Sequence, residues 1–195
     1  MTDPCDLSAI EARNLIGCKK LSPVELLDSC IGRIDAVNPA VNAICGKDFD
    51  RARVEAKASE EAVLKGDLLG PLHGLPLGVK DLLETEGLLT THGSPLYKDY
   101  VPDSDHDFVA ELRNAGAIVF CKTNTPEFGA GANTTNPVWG ATGNPFDPKR
   151  ICGGSGESTA AGGEFARMRP AGTRPGRGAP SSTMTSWLVS VGTGE

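Results

Sequence analysis

A single lysine stands where an apolar run is expected to end a buried strand. Lys80 closes the stretch Leu75-Pro76-Leu77-Gly78-Val79 and is followed by Asp81, then by the pair Thr90-Thr91 and by Ser94. Isolated lysines are ordinarily solvated surface charges. Among apolar neighbours the charged form is disfavoured, and the pKa can fall several units from about 10.4. A lysine that gives up its proton readily can serve as a general base. Asp81 has a plainer reading, as a pairing or turn-capping carboxylate. Thr90, Thr91 and Ser94 read equally well as turn residues bonding their own backbone or as lining of a site. The later run Cys152-Gly153-Gly154-Ser155-Gly156-Glu157-Ser158 is, by itself, only a flexible glycine loop, and no lysine follows it as a phosphate-binding loop requires.

Other chemistries find little support. The six cysteines, at 5, 18, 30, 45, 121 and 152, include no Cys-x-x-Cys pair and no histidine at ligand spacing. No metal is therefore expected, and the thiols are expected to be free. His73, His92 and His106 are read as surface or loop residues. The 195 residues are 39% hydrophobic and 23% charged with a formal net charge of −6, values of an ordinary soluble globular domain. The acidic balance argues against nucleic acid or an anionic membrane as partner. No apolar run approaches the roughly 20 residues of a membrane span, and no signal peptide is visible, so a cytoplasmic location is expected.

The elements that must position these residues follow from periodicity. "DLSAIEARNLIGCKK" and "SPVELLDSCIGRIDAVNP" carry helical spacing. In the second, Ser22 suits the cap, Pro23 the first helical position and Glu25 a capping box, and Asn38-Pro39 is expected to stop the helix. "FDRARVEAKASEEAVLKGD" reads as a third, more polar helix. From Gly70 the pattern changes to a short strand entering a loop, then an amphipathic helix, a stop at Gly116 and the apolar strand "AIVFC". Strand, helix, strand in this order predicts an α/β unit with a largely buried sheet. The small-residue segment "TPEFGAGANTTNPVWGATGNPFDPKR" is too long for a simple connection and is expected to be functional.

Taken together and in order, "GLPLGVKDLLETEGLLTTHGS", "AGAIVFCKTNTPEFG", "NTTNPVWGATGNPFDPKR" and "CGGSGES" resemble the amidase signature family. The resemblance runs from the N-terminal helices to about residue 161. It implies an α/β fold with a mixed sheet core surrounded by helices, here its N-terminal part, and a Ser–cisSer–Lys triad. The family's lysine falls on Lys80 and its bridging serine on Ser155, with Ser158 the alternative. Gly129, Ala130 and Gly131 fall where related enzymes pass the substrate, although tight packing alone would also explain them. The activity implied is hydrolysis of linear carboxamides to carboxylate and ammonia, with no cofactor. A small-molecule amide is the expected partner, and a homodimer is expected only at full length. Two alternatives stand beside it: the A subunit of a glutamine-dependent tRNA amidotransferase, and a non-catalytic binding or regulatory fragment of the same fold. Ammonia release from glutamine with partner subunits would mark the first, and stable monodisperse folding without hydrolysis the second.

The sequence departs from that family in two places. Gly-Gly-Ser-Ser-Gly-Gly-Ser is usual there, whereas this chain has Gly153-Gly154-Ser155-Gly156-Glu157-Ser158. The nucleophile's Gly-Thr-Asp-x-Gly-Gly-Ser motif is not found, and Ser181, Ser182 and Ser186 lack the glycine lead-in that supplies oxyanion donors. Residues 163–180 hold four of the ten arginines, alternating with proline and glycine. The expected organisation is therefore a partial amidase domain over 1–162 and a disordered or out-of-frame tail over 163–195. A shifted reading frame and early termination would produce that pattern, and the product is expected to be inactive alone.

Overall fold

The computed structural model describes residues 3–147, 149, 150 and 152. Ser155, Ser158 and the expected tail lie outside these residues.

Helix α1 spans Ala9–Gly17 and α2 spans Pro23–Val41. At the start of α2 the Val24 N–H donates to the Ser22 hydroxyl at 3.0 Å and the Ser22 N–H donates to Glu25 at 3.2 Å, the capping box expected from the sequence. The stop expected at Asn38-Pro39 does not occur there. The helix runs on to Val41 and ends at Asn42, in the left-handed conformation with φ 55°. Asn38 supplies the reason. Its side-chain oxygen accepts the N–H groups of Ala43 and Ile44 at 2.9 and 2.8 Å, and its amide donates to the Ile44 carbonyl at 2.9 Å. Proline removes one helical hydrogen bond near the end of α2, while Asn38 ties that end to the strand that follows.

That strand, β1 (Ile44–Lys47), has no clear sequence signal, being four residues long with a glycine and no alternation. Helix α3 (Phe49–Lys65) follows, its first turn capped by Asp48, which accepts the Arg51 N–H at 3.1 Å. Strand β2 (Pro76–Lys80), helix α4 (Asp107–Asn114) and strand β3 (Ile118–Thr123) form the expected α/β unit. Before β3 the chain turns at Gly116, with φ 95°, where a Cβ would lie 2.7 Å from the His73 Cα, so only glycine fits. β3 extends past "AIVFC" to include Lys122 and Thr123.

The strand order is β1-β3-β2, with β2 parallel and β1 antiparallel to the central β3. On one face Phe120 packs with Ala12, Ile16, Leu26, Leu27 and Ala56 from the first three helices. On the other, Leu77, Val79 and Val119 pack with Leu83, Leu88 and Val109 of α4. Burial on both faces is why β2 and β3 read as unbroken apolar runs rather than alternating ones. The long segment after β3 is not featureless: β4 (Thr135–Asn136) and β5 (Gly140–Ala141) make a short antiparallel ladder across the turn that carries Trp139.

Candidate active site

Lys80 is the last residue of β2 and only 6% exposed. Burial holds its ammonium below the ordinary lysine value, as its apolar lead-in requires. Its neighbour across the ladder is Thr123 of β3. The Thr123 hydroxyl, like that of Thr125, is buried and has no hydrogen-bond partner among the described residues. The C-terminal edge of a parallel pair is where α/β sheets place their sites, because loops rather than strands then surround the reacting groups.

Asp81 turns the chain away from this edge. Its N–H donates to the Thr123 carbonyl at 2.9 Å, which locks the end of β2 to β3. Its carboxylate is fully buried and accepts three donors: the Thr91 N–H at 3.0 Å, the Thr91 hydroxyl at 2.5 Å and the Trp139 indole N–H at 3.1 Å. Burial pushes the Asp81 carboxyl up, while the Thr91 hydrogen bond and the Lys122 charge pull it back. With these neighbours all donating, the arrangement suits the carboxylate. Trp139 is itself held by Asn136, whose side-chain oxygen accepts the Trp139 N–H at 2.7 Å and whose amide donates to Asn124 at 2.7 Å. The pairing reading of Asp81 is the one observed. Thr91 likewise bonds locally, its hydroxyl oxygen taking the Gly93 N–H at 3.1 Å, and the Ser94 N–H donates to the Thr91 carbonyl at 2.9 Å.

A second buried lysine, which the sequence did not single out, lies nearby. Lys122, level with Val79 in the ladder, is wholly inaccessible. Its ammonium donates to the Leu83 carbonyl at 2.5 Å and to the hydroxyls of Thr85 and Thr90 at 2.9 and 3.2 Å. Burial pushes it down to about 8, against the pull of Asp81. A signal for it exists: Lys122 ends an apolar run and precedes Thr123-Asn124, much as Lys80 ends one and precedes Asp81.

Gly129 closes the turn Glu127–Gly129 with φ 72°, and a Cβ there would lie 2.7 Å from the Leu82 side chain, two residues past Lys80. Ala130 and Gly131, next along, are exposed. This brings Gly129 against the segment leaving β2. Among the described residues no group of His, Cys, Asp and Glu side chains is placed to hold a metal ion, and no cysteine is in a disulfide. No helix among them is long and apolar enough to cross a membrane.

The family model for Amidase matches residues 25–166, most of the chain and all of this site. The chain belongs to the amidase signature family. A curated relative, the A subunit of the glutamyl-tRNA(Gln) amidotransferase of Acidothermus cellulolyticus, is 38% identical over 161 residues, 83% of this chain and 32% of the relative. Indoleacetamide hydrolase of Bradyrhizobium diazoefficiens is 40% identical over 159 residues, 80% of this chain and 30% of the relative. Among solved structures, a bacterial aryl acylamidase of the amidase signature family superposes with a TM-score of 0.77 at 30% identity, over 82% of this chain and 34% of that one. The chain therefore has the family's fold, and it spans about a third of the length of the relatives it matches.

Proposed function

We propose that this amidase-family chain carries the lysine arm of a Ser–cisSer–Lys site that hydrolyses carboxamides. The observation that carries the reading is the placement of Lys80, buried at the C-terminal end of β2 with its ammonium disfavoured by desolvation. Neutral Lys80 takes a proton from the bridging hydroxyl of Ser155, which in turn takes one from the nucleophilic serine. That serine attacks the amide carbonyl, the proton passes to the leaving nitrogen as ammonia departs, and water then cleaves the acyl ester to free the carboxylate and restore the serine. Gly129, Ala130 and Gly131 border the path of the amide, small enough for close backbone approach.

The sequence contains no Gly-Thr-Asp-x-Gly-Gly-Ser, so neither nucleophile nor oxyanion donors are assigned. Losing the nucleophile of such a triad removes most of the rate. The 195-residue chain is therefore expected to release no more ammonia from aliphatic or aromatic carboxamides than its Lys80→Ala variant. A chain continued through that motif is expected to release ammonia, with a rate that falls as pH drops, because protonated Lys80 cannot act as base. Hydrolysis by the 195-residue chain that survives Lys80→Ala would contradict the reading.

A second reading is that the site releases ammonia from glutamine for transfer. It is favoured by the amidotransferase A subunits among its relatives, at 38% and 37% identity. Glutamine-dependent ammonia release that requires partner subunits distinguishes it from stand-alone hydrolysis.

A further inference from the structure

The buried lysine that the proposed chemistry leaves unused sits in a cage of acceptors. An ammonium has three protons and accepts nothing, and Lys122 meets three acceptors: the Leu83 carbonyl and the hydroxyls of Thr85 and Thr90. The hydroxyl protons are committed elsewhere. Thr85 donates to the Leu83 carbonyl at 3.1 Å and Thr90 to the Leu88 carbonyl at 3.0 Å. Each therefore turns a lone pair toward Lys122. A neutral amine would bring a lone pair of its own into this cage and find no proton to accept. The cage is built for the charged form.

What the cage secures is the segment leaving Lys80. Residues 83–90 include no helix or strand, so their backbone groups need partners from outside. The segment ends at Thr90, and the next residue, Thr91, donates twice to Asp81, beside Lys80. Trp139 bonds both, reaching Asp81 at 3.1 Å and Thr91 at 2.9 Å. The ionisable groups that act on Lys122 are Asp81 at the end of β2, Glu84 in the segment, Cys45 on β1 and Cys121 on β3. Burial raises both thiols, which stay neutral, so Asp81 and Glu84 are the counter-charges.

We propose that Lys122 is a positioning residue for the Lys80 site: its ammonium clamps the 83–90 segment and so holds Thr91, Asp81 and Trp139 in register with the end of β2. The inference rests on Lys80 as base only for its functional meaning. The clamp itself stands on the geometry.

Trp139 reports on the clamp. In the 195-residue chain with Trp187→Phe it is the sole indole. Its emission is followed over roughly pH 6 to 10, the range that brackets a depressed lysine. The expected result is a titration centred at about 8, the value to which burial pushes Lys122. Lys122→Met should abolish it. Thr90→Val, which removes one acceptor and keeps the shape, should move the midpoint down by about half a unit or more, because the ammonium is less well solvated. A flat profile in the parent, or one unchanged by Lys122→Met, overturns the clamp. If Lys122→Met does not fold, a midpoint unmoved by Thr90→Val overturns it. Acylation of Lys80 against pH, read peptide by peptide, separates the two proposals. An ordinary Lys80 with the Trp139 titration intact removes the base and keeps the clamp, and the converse removes the clamp and keeps the base.

Discussion

Lys80 and Lys122 lie at the ends of the same pair of strands, and burial lowers the pKa of both. Lys122 has three acceptors and is held charged, at a cost in free energy. Its pKa of about 8 in the folded chain lies below the 10.5 of an unperturbed lysine, so the unfolded chain keeps the proton to higher pH. Lys122 therefore contributes stability that rises between about pH 8 and 10.5, where the unfolded state binds its proton more tightly, set against the fall that the buried thiols impose once unfolded cysteines ionise. Urea unfolding at a series of pH values should show it as a parent-minus-variant difference from Lys122→Met that grows across that window, and a difference independent of pH would contradict it. Asp81 is the complementary case, a carboxylate ringed by donors. Asp81→Asn turns its amide nitrogen toward the N–H of either Thr91 or Trp139, and hydrogen bonds to a charged group contribute about 1.5–3 kcal/mol each. A loss of about that size in urea unfolding is expected, and no loss would mean the carboxyl is already neutral.

The elements show why some of this is legible in the sequence and some is not. The cap of α2 can be read because Ser22, Pro23 and Glu25 act within one turn, and Ser22→Ala is expected to cost about 1 kcal/mol in chemical denaturation. β2 and β3 can be read because a sheet buried on both faces leaves continuous apolar runs. The end of α2 defies its local signal. The residue before a proline usually leaves the helix, whereas Asn38 is held there by bonds to Ala43 and Ile44. Asn38→Ala strands those two N–H groups, and a loss of about 1–3 kcal/mol is expected from the same measurement. Trp139 is beyond reach of any local pattern, since its bond to Asp81 joins residues 58 apart in sequence. Lys122 is an intermediate case. Its apolar lead-in signals burial, as that of Lys80 does, but its acceptors lie 32 to 39 residues away and carry no local signature.

At the scale of the whole molecule, three segments converge on the end of β2: residues 81–94, β3 with the residues after it, and the short ladder carrying Trp139. The convergence is bonded through Asp81, Thr91, Asn124 and Asn136, so the edge holding Lys80 is a framed surface rather than a loose strand end. The chain spans about a third of the length of the relatives it matches, and Ser155 lies outside the described residues. The proposed catalysis rests on one described group, the Lys80 amine. Its proton affinity can be measured in the 195-residue chain by the pH dependence of its acylation, followed by mass spectrometry of the peptide that contains it. A base formed by burial should titrate below the value of a solvated lysine, about 10.4. A midpoint at the solvated value, in a chain whose circular dichroism shows the folded state, would contradict the account and leave Lys80 an ordinary cation.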